Sequence, residues 1–458
     1  MRFISTRGSS KNLSFDEVIL AGLADDGGLY VPESLPEISN SVWEKWRKLD
    51  YSDLAVEVMW PFVEGSIPRE IFIKMVSDSY SGFRHTTIAP LKQIGRNQWL
   101  LELFHGPTLA FKDFALQLLG RLLDYFLSKN GEKGIILGAT SGDTGSAAIH
   151  GCKFSKYLQI VILHPHERVS SIQRKQMTTV SAKNVFNLAV EGNFDDCQAI
   201  VKGVFLNRSC VLPKRLLAIN SINLARIMAQ TVYYVYASLG FGSCRDPLTF
   251  SVPSANFGDA FGGYLASKMG LPVSGFIVAT NTNDALVRAF NGDLSRGPLI
   301  SSLSPSMDIV VSSNFERLLF DLSNRDSTRI KKLMESFASG PVRLPDSIVK
   351  KASEMFRSMS VDDHKTIETI IRIFKQTGEC IDPHTATAVA ASEKINMGQR
   401  VINLATAHPS KFPEAICRAG LKPVDLPSDM EALHRMEEKF QIIQANQHAV
   451  ENFLVNCS

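Results

Sequence analysis

Short apolar runs alternate with segments of helical spacing over residues 98–240, and this alternation constrains the fold more than any other feature of the chain. Three of the runs are rich in β-branched or other apolar residues and cover residues 134–138, 159–163 and 185–190. Because each run is followed by a segment with helical spacing, the chain repeats a strand followed by a helix. Such repeats form parallel sheets with helices on both faces, which predicts an α/β fold. Ligands of these sheets bind at the carboxyl ends of the strands, so functional residues are expected just after each run.

The length of 458 residues allows two or three domains with separate cores. Residues 1–95 combine a turn-rich start with helical patterns, which predicts an N-terminal, mainly helical domain. We predict a smaller α/β domain over residues 96–225. A larger α/β domain is predicted over residues 226–458, with C-terminal helices that include a charged helical tail over residues 428–455.

Lys112 lies where a short apolar strand passes through a Gly-Pro-Thr turn into a helix. The apolar neighbours Leu109, Ala110 and Phe111 and the positive end of the helix dipole both favour a neutral amine. A neutral lysine amine can form a Schiff base with a carbonyl cofactor, and pyridoxal phosphate is the commonest such cofactor. The alternative is an ordinary amphipathic lysine beside Asp113, which would cap the helix.

Three further loops place small polar residues between a predicted strand and a helix. They are GATSGDTG at residues 138–145, NSINLAR at residues 220–226 and SANFGD at residues 254–259. Backbone amides at a helix amino terminus attract carboxylates and phosphates, and the guanidinium of Arg226 can bind a phosphate with two hydrogen bonds. The loop at residues 138–145 alone could also be a tight turn with a Thr or Asp cap, and Arg226 alone could be a surface arginine. The loop at residues 254–259 lacks both the P-loop pattern and a strict dinucleotide glycine fingerprint, so a phosphate is favoured over a nucleotide there.

Composition argues against several classes of partner. The 49 basic and 46 acidic side chains give a formal net charge of +3 and form no dense basic block, so neither nucleic acid nor a membrane surface is expected as a partner. The seven cysteines are scattered without a Cys-x-x-Cys pair, which argues against a disulfide framework or a metal site and indicates a cytoplasmic protein. No apolar run has the length of a membrane span or the character of a signal peptide.

Eight short motifs occur in an order that identifies a family. They are STRG at residues 5–8, DGGL at 26–29, HGPTLAFKDF at 105–114, ATSGDTG at 139–145, EGNFDDCQ at 191–198, NSINLAR at 220–226, SANFGD at 254–259 and ATAHPSKFPEA at 405–415. Over nearly its whole length the chain closely resembles the threonine synthase family, which consists of fold type II pyridoxal phosphate enzymes similar to tryptophan synthase β. The resemblance implies two parallel-type α/β domains behind the N-terminal helical domain.

The same resemblance implies roles for residues of the matching motifs. Lys112 would be the catalytic lysine and would hold pyridoxal 5'-phosphate as a Schiff base, while the Thr406 hydroxyl would bind the pyridine nitrogen. The loop that would bind the cofactor phosphate consists of Ser254, Ala255, Asn256, Phe257, Gly258 and Asp259. The residues that would bind substrate are Ser141, Asp143 and Thr144 around the α-carboxylate and the ring hydroxyl, and Ser221, Asn223 and Arg226 at the substrate phosphate.

The reaction implied by the resemblance converts O-phospho-L-homoserine and water to L-threonine and phosphate, the last step of threonine biosynthesis, by a carbon-oxygen lyase. Two phosphates must then be bound, and the loops at residues 221–226 and 254–259 match that number. An enzymatic alternative is a phospho-lyase or dehydratase with the same cofactor that gives 2-oxobutyrate. A non-catalytic protein on a retained enzyme scaffold is a further alternative. We expect a monomer or a homodimer.

Ala255 departs from the family pattern, which usually has glycine directly before Asn-Phe-Gly-Asp. If this position requires a positive φ, its methyl group adds strain of roughly 1 kcal/mol or more and crowds the phosphate. We therefore predict that the cofactor binds, with lower affinity if the strain is present.

Overall fold

The computed structural model describes residues 1–9, 11–140, 142–207, 211–241, 247–395 and 400–456. Ser141, which was predicted to bind substrate, lies outside the described residues. Across the described ranges, no helix combines the length and the apolar character that crossing a membrane requires.

The strands of the described chain are, in order, β1 (Phe3–Ser5), β2 (Tyr30–Pro32), β3 (Leu91–Gly95), β4 (Gln98–Glu102), β5 (Gly134–Ala139), β6 (Leu158–Pro165), β7 (Val185–Glu191), β8 (Arg215–Leu217), β9 (Leu248–Pro253), β10 (Val273–Thr280), β11 (Asp293–Leu294), β12 (Val342–Arg343), β13 (Phe356–Ser360), β14 (Val401–Ala405) and β15 (Gln441–Gln444). The α-helices are α1 (Phe15–Ala21), α2 (Asn40–Trp46), α3 (Tyr51–Val63), α4 (Arg69–Tyr80), α5 (Lys112–Asn130), α6 (Asp143–Cys152), α7 (Ser171–Thr178), α8 (Phe194–Leu206), α9 (Leu224–Gly240), α10 (Gly258–Lys268), α11 (Ala285–Phe290), α12 (Phe315–Leu322), α13 (Ser327–Ser339), α14 (Asp346–Met355), α15 (Asp363–Thr377), α16 (Pro383–Lys394), α17 (Pro413–Arg418) and α18 (Gln447–Asn456). Short 3-10 turns cover Pro305–Met307, Pro409–Lys411 and Ser428–His434.

The larger sheet has six strands in the order β13-β10-β9-β14-β4-β3. All neighbouring strands are parallel except β3 and β4, which form an antiparallel pair. The carboxyl ends of parallel strands meet at one edge of a sheet, so the segments that follow β4, β9 and β14 lie near each other. These segments carry Lys112, the loop at residues 254–259 and Thr406.

The smaller sheet has five parallel strands in the order β15-β7-β6-β5-β8. The three apolar runs at residues 134–138, 159–163 and 185–190 form β5, β6 and β7, and the predicted α/β class with parallel sheets is confirmed. Most of their side chains are buried because helices cover the sheet, as continuous apolar runs predict.

The C-terminal tail differs from the helical segment that its sequence suggested. Residues 428–434 form a 3-10 helix and residues 441–444 form β15, which pairs with β7 through Ile442 and Ala189, so residues 447–456 alone of this tail form an α-helix. The predicted domain boundaries at residues 95 and 225 stay a prediction. The two sheets draw strands from both sides of these boundaries, since β4 belongs to the larger sheet and β15 to the smaller one.

Helices α5 and α6 begin at Lys112 and Asp143 and pack closely against each other. The approach requires glycine, because a Cβ atom on Gly120 would lie 2.2 Å from the carbonyl oxygen of Gly151. The opposite side of α5 packs against the N-terminal helices, where the Tyr51 ring lies edge-on to Phe114 with centroids 5.5 Å apart. This packing fixes the helix that carries the predicted catalytic lysine.

Candidate active site

The turn before Lys112 is held by the carboxylate of Asp113. This carboxylate accepts hydrogen bonds from the Thr108 backbone N–H at 2.8 Å and from the Thr108 hydroxyl at 2.9 Å. The Phe111 N–H donates to the Thr406 carbonyl oxygen at 2.8 Å, which ties the same turn to the end of β14. Asp113 therefore organises the turn, and Lys112 and Thr406 are placed on neighbouring segments.

The side chain of Lys112 is buried, and its ammonium nitrogen lies 3.3 Å from Oδ2 of Asp143. Burial lowers the pKa of Lys112, and the cations Lys411 and Arg226 lower it further against the opposing effect of Asp143. The sequence suggested burial as a cause of the lowered pKa of Lys112. It did not suggest the two cations, because they belong to distant segments of the chain. Lys112 thus loses its proton more readily than an exposed lysine does.

Asp143 is the first residue of α6 and is surrounded by hydrogen-bond donors. Besides Lys112, they are the Lys411 ammonium at 2.7 Å, the Gln173 side-chain amide at 2.7 Å and the Ser306 hydroxyl at 3.3 Å. Burial alone would raise the pKa of Asp143, but the two ammonium groups lower it far below its usual range. An ionised carboxylate repels a substrate carboxylate, so these contacts favour a role for Asp143 at the lysine.

Lys411 is a buried residue of the site that sequence reasoning missed. Its ammonium donates to the Thr108 carbonyl oxygen at 2.7 Å in addition to its contact with Asp143. The only signal in the sequence was its position within the motif at residues 405–415. Its partners lie hundreds of residues earlier, so no local pattern pointed to them.

The loop after β9 is closed by a contact between its two ends. The Ser254 hydroxyl donates to the Asp259 carboxylate, which also accepts from the Ala260 N–H at 2.8 Å. Burial raises the pKa of Asp259 to about 6. Gly258 starts α10, so the loop lies at a helix amino terminus, where backbone amides favour an anion.

The strain that was considered for Ala255 is absent. The residue of this loop with a positive φ is Phe257, at 60°, whereas Ala255 lies outside that region. The Phe257 ring is buried against Phe315, with centroids 5.4 Å apart, and this packing holds the unusual backbone conformation. The reduced cofactor affinity that depended on strain at Ala255 is therefore not expected.

The loop before α9 leads into Arg226, a buried cation in the first turn of that helix. Arg226 donates from Nη1 to the Ile219 carbonyl oxygen at 3.1 Å, while its Nε atom is buried without a hydrogen bond. Burial lowers the pKa of Arg226 to about 10. Among the residues that the structure describes, no carboxylate pairs directly with this guanidinium, although Asp259 lies near enough to raise the pKa of Arg226 against the larger effect of burial. The site therefore favours an external anion.

Asn223, in the same loop, has a local role in the backbone. Its side-chain oxygen accepts from the Ala225 N–H at 3.1 Å as the cap of α9, and its amide donates to the Ile19 carbonyl oxygen at 3.1 Å. The side-chain oxygen of Asn223 thus caps α9, and its amide group binds the backbone of α1. The role of Asn223 as a substrate ligand stays a prediction. Ser221 and Thr144 are half-buried.

Comparison with known proteins identifies the family. The chain matches the family descriptions "Threonine synthase N terminus" over residues 2–80, "Pyridoxal-phosphate dependent enzyme" over residues 82–406 and "Threonine synthase, C-terminal" over residues 385–454. The threonine synthase of Pseudomonas aeruginosa is 51% identical over 459 residues, which cover 99% of this chain and 98% of that protein. The chain belongs to the threonine synthase family.

Solved structures of threonine synthases have the same fold. The crystal structure of the pyridoxal phosphate-bound enzyme from Brucella melitensis matches with a TM-score of 0.98 at 41% identity, covering 100% of this chain and 99% of that chain. The yeast threonine synthase matches with a TM-score of 0.94 at 38% identity, covering 100% and 98%. The predicted family, the fold type and the lyase class are confirmed.

Pyridoxal 5'-phosphate is the cofactor of this threonine synthase family member, as the sequence predicted. The structure fits that cofactor, because a buried lysine with a lowered pKa lies near a loop at a helix amino terminus.

Within the described ranges, no group of three or more His, Cys, Asp or Glu residues could hold a metal ion.

Proposed function

We propose that this threonine synthase family member converts O-phospho-L-homoserine and water to L-threonine and phosphate. The observation that carries the proposal is the buried guanidinium of Arg226, which lacks a carboxylate partner among the described residues. It lies close enough to the buried Lys112 to lower the pKa of that lysine. A substrate that carries a phosphate would supply the missing anion beside the reacting carbon atoms.

The cofactor site is proposed from residues of three segments. Pyridoxal 5'-phosphate, when bound, supplies an electron sink for the carbon atoms of an amino acid. We assign Lys112 to its aldehyde carbon, the Thr406 hydroxyl to its ring nitrogen, and the loop at residues 254–259 to its phosphate. The position of this loop at the start of α10 supports the assignment of the phosphate.

Proton transfer is assigned to Lys112. The lowered pKa favours a neutral amine, which can take a proton from a substrate carbon and return it at the next one. Asp143 stays ionised between Lys112 and Lys411, so it can orient the ammonium form of Lys112 between the two transfers. The hydrogen bond from Gln173 fixes the direction of this carboxylate.

Substrate contacts are assigned to two helix starts. Arg226 and Ser221 would bind the substrate phosphate before and after it leaves. At the start of α6, the Thr144 hydroxyl and the backbone amides would bind the α-carboxylate, since the ionised Asp143 repels that group. These assignments leave Asp143 to act on Lys112.

We also propose a cytoplasmic location and a monomeric or homodimeric state. The four described cysteines, Cys152, Cys197, Cys380 and Cys417, are free, which supports a reducing compartment. Light scattering on the purified protein measures its mass and separates the two states.

The proposal is tested by a turnover assay on the cofactor-loaded protein with O-phospho-L-homoserine. Phosphate and the organic product are measured in the same sample, and equal amounts of phosphate and threonine are expected. Phosphate released with 2-oxobutyrate would instead identify a phospho-lyase. Absence of phosphate release would contradict the substrate assignment.

Replacement of the buried arginine tests the substrate phosphate site. We expect Arg226→Met to raise the KM for O-phospho-L-homoserine about tenfold or more, because a hydrogen bond to a charged group contributes about 1.5–3 kcal/mol. The absorbance of the bound cofactor should be retained, since the cofactor loop is separate. Arg215→Met serves as the control, because Arg215 is exposed and pairs with Glu132 at 3.3 Å. A normal KM in Arg226→Met would refute the assigned role.

A further inference from the structure

Arg317, the third residue of α12, is a fully buried cation away from Lys112. Its Nε donates to the Tyr30 carbonyl oxygen at 3.0 Å, its Nη2 donates to the Ile222 carbonyl oxygen at 2.6 Å, and its Nη1 donates to the side-chain oxygen of Asn314. Burial lowers the pKa of Arg317 to about 9. All three acceptors are neutral oxygens, so the guanidinium holds two backbone carbonyl groups and one side-chain amide in position.

Asn314 connects Arg317 to the cofactor loop. Because the Asn314 oxygen accepts from Arg317, its NH₂ group must point the other way. That group donates to the Asn256 carbonyl oxygen at 3.1 Å, and the Asn314 backbone N–H donates to the same oxygen at 3.0 Å. Arg317 thereby sets the direction of a carbonyl group in the middle of the loop at residues 254–259.

Ile222 connects Arg317 to the second loop. This residue lies between Ser221 and Asn223, directly before the helix that carries Arg226. A guanidinium is planar and rigid, so the directions of its N–H groups are fixed relative to each other. A single side chain therefore holds the backbones of both loops in one relative position.

We propose that Arg317 is a shared positioning residue for the two phosphate-binding loops. The inference rests on the assignment of these loops to the cofactor phosphate and the substrate phosphate proposed above. Loss of the guanidinium frees the Ile222 carbonyl and the Asn314 side chain together. Both anion sites then lose their alignment, although Arg317 contacts neither anion.

The test measures two dissociation constants on the full-length protein. The first is that of pyridoxal 5'-phosphate, from the absorbance of the Schiff base. The second is that of inorganic phosphate on the cofactor-loaded protein, from calorimetry. We expect Arg317→Met to weaken both by about tenfold, since each site loses alignment set by a charged hydrogen bond. Arg317→Lys should recover part of the loss, because its single ammonium can still reach one acceptor.

Two further variants separate positioning from a general loss of stability. Asn314→Asp keeps the acceptor for Arg317 but places an oxygen against the Asn256 carbonyl, so it should weaken the cofactor about tenfold and leave phosphate binding within about twofold. Lys332→Met is the control, because Lys332 is exposed on α13 and its loss should affect neither constant.

The outcomes distinguish this inference from the proposed function. A wild-type protein that binds neither probe would overturn the assignment of the loops, and the inference with it. Wild-type binding with unchanged constants in folded Arg317→Met would overturn the inference alone. If Arg317→Met does not fold, Arg317→Lys and Asn314→Asp decide the question, and equal weakening of both ligands by Asn314→Asp would refute the proposed connection.

Discussion

At the scale of single residues, the ionised carboxylate of Asp143 contacts two buried cations, Lys112 and Lys411. Asp143 accepts from Lys411 at 2.7 Å and from Lys112 at 3.3 Å. The shorter contact belongs to Lys411, so much of the negative charge is neutralised away from Lys112. That division allows Lys112 to release its proton although a carboxylate lies beside it.

Replacement of Lys411 should raise the pKa of Lys112. In Lys411→Met, the charge of Asp143 acts on Lys112 alone, and one cation that opposes protonation is lost. If the pKa of Lys112 rises by one unit, the neutral fraction of its amine at a given pH below the pKa falls to about one tenth. Capture of pyridoxal 5'-phosphate by the cofactor-free protein, followed by absorbance against pH, should therefore be about tenfold slower in that range.

Two comparisons control this prediction. Asp143→Asn should shift the pH profile in the opposite direction, because it removes the group that favours the ammonium form of Lys112. Lys422→Met removes an exposed lysine and should leave the profile unchanged. A Lys411→Met profile that coincides with the wild-type profile would show that Lys411 does not act on Lys112.

The sequence could predict the site only where the physical cause was local. The burial of Lys112 at the start of a helix was predictable because its apolar neighbours and its helix are adjacent in the chain. The role of Lys411 depends on contacts with Thr108 and Asp143, which only the folded chain brings near. At Ala255, the family pattern suggested strain, but the positive φ occurs at Phe257.

At the scale of elements, the contact between α5 and α6 sets the distance between the groups at their amino ends. The backbones approach at Gly120 and Gly151, where even one added carbon atom overlaps a carbonyl oxygen. Lys112 and Asp143 are the first residues of these two helices. The separation of the helices therefore controls the contact between the two side chains.

Gly120→Ala should force the two helices apart. The new Cβ would lie 2.2 Å from the Gly151 carbonyl oxygen, and overpacking of this kind typically costs about 1–3 kcal/mol of the free energy of unfolding. Denaturant unfolding measures this loss, and cofactor affinity should fall with it. Gly340→Ala is the matched control, since nothing lies within 4 Å of its added carbon. Equal unfolding midpoints for the two variants would contradict the close approach.

The strands β5, β6 and β7 were predictable from their apolar runs, whereas β15 was not. The runs that became β5, β6 and β7 contain enough buried apolar residues to indicate strands. β15 has only four residues with the sequence Gln-Ile-Ile-Gln, and its strand conformation depends on pairing with β7. A four-residue sequence pattern does not indicate which strand it will pair with.

At the scale of the whole molecule, distant parts of the chain complete each sheet. β14 lies between β9 and β4 in the larger sheet, and β15 forms an edge of the smaller sheet. Ile443 of β15 packs in a buried apolar cluster with Leu188, Val190 and Val450. The smaller sheet therefore depends on side chains near residue 450 for its core.

Adjacent isoleucines of β15 provide a matched test of this dependence. Ile443 is 9% exposed and Ile442 is 50% exposed, because successive side chains of a strand point to opposite faces. Ile443→Ser should lower the free energy of unfolding by about 2 kcal/mol or more, whereas Ile442→Ser should change it by less than about 0.5 kcal/mol. Chemical denaturation measures both values, and similar losses would contradict the position of β15.

The position of β15 also determines when the protein can mature during synthesis. Chains begin to fold from the N-terminal side while they are being translated. The exposed edge of β7 has no partner until residues 441–444 have left the ribosome, and Lys411 reaches Asp143 only shortly before. Cofactor capture by a pocket that contains the Lys411–Asp143 contact therefore follows the synthesis of residue 411. Until β15 pairs with it, this edge of β7 presents unpaired backbone groups to any other extended segment.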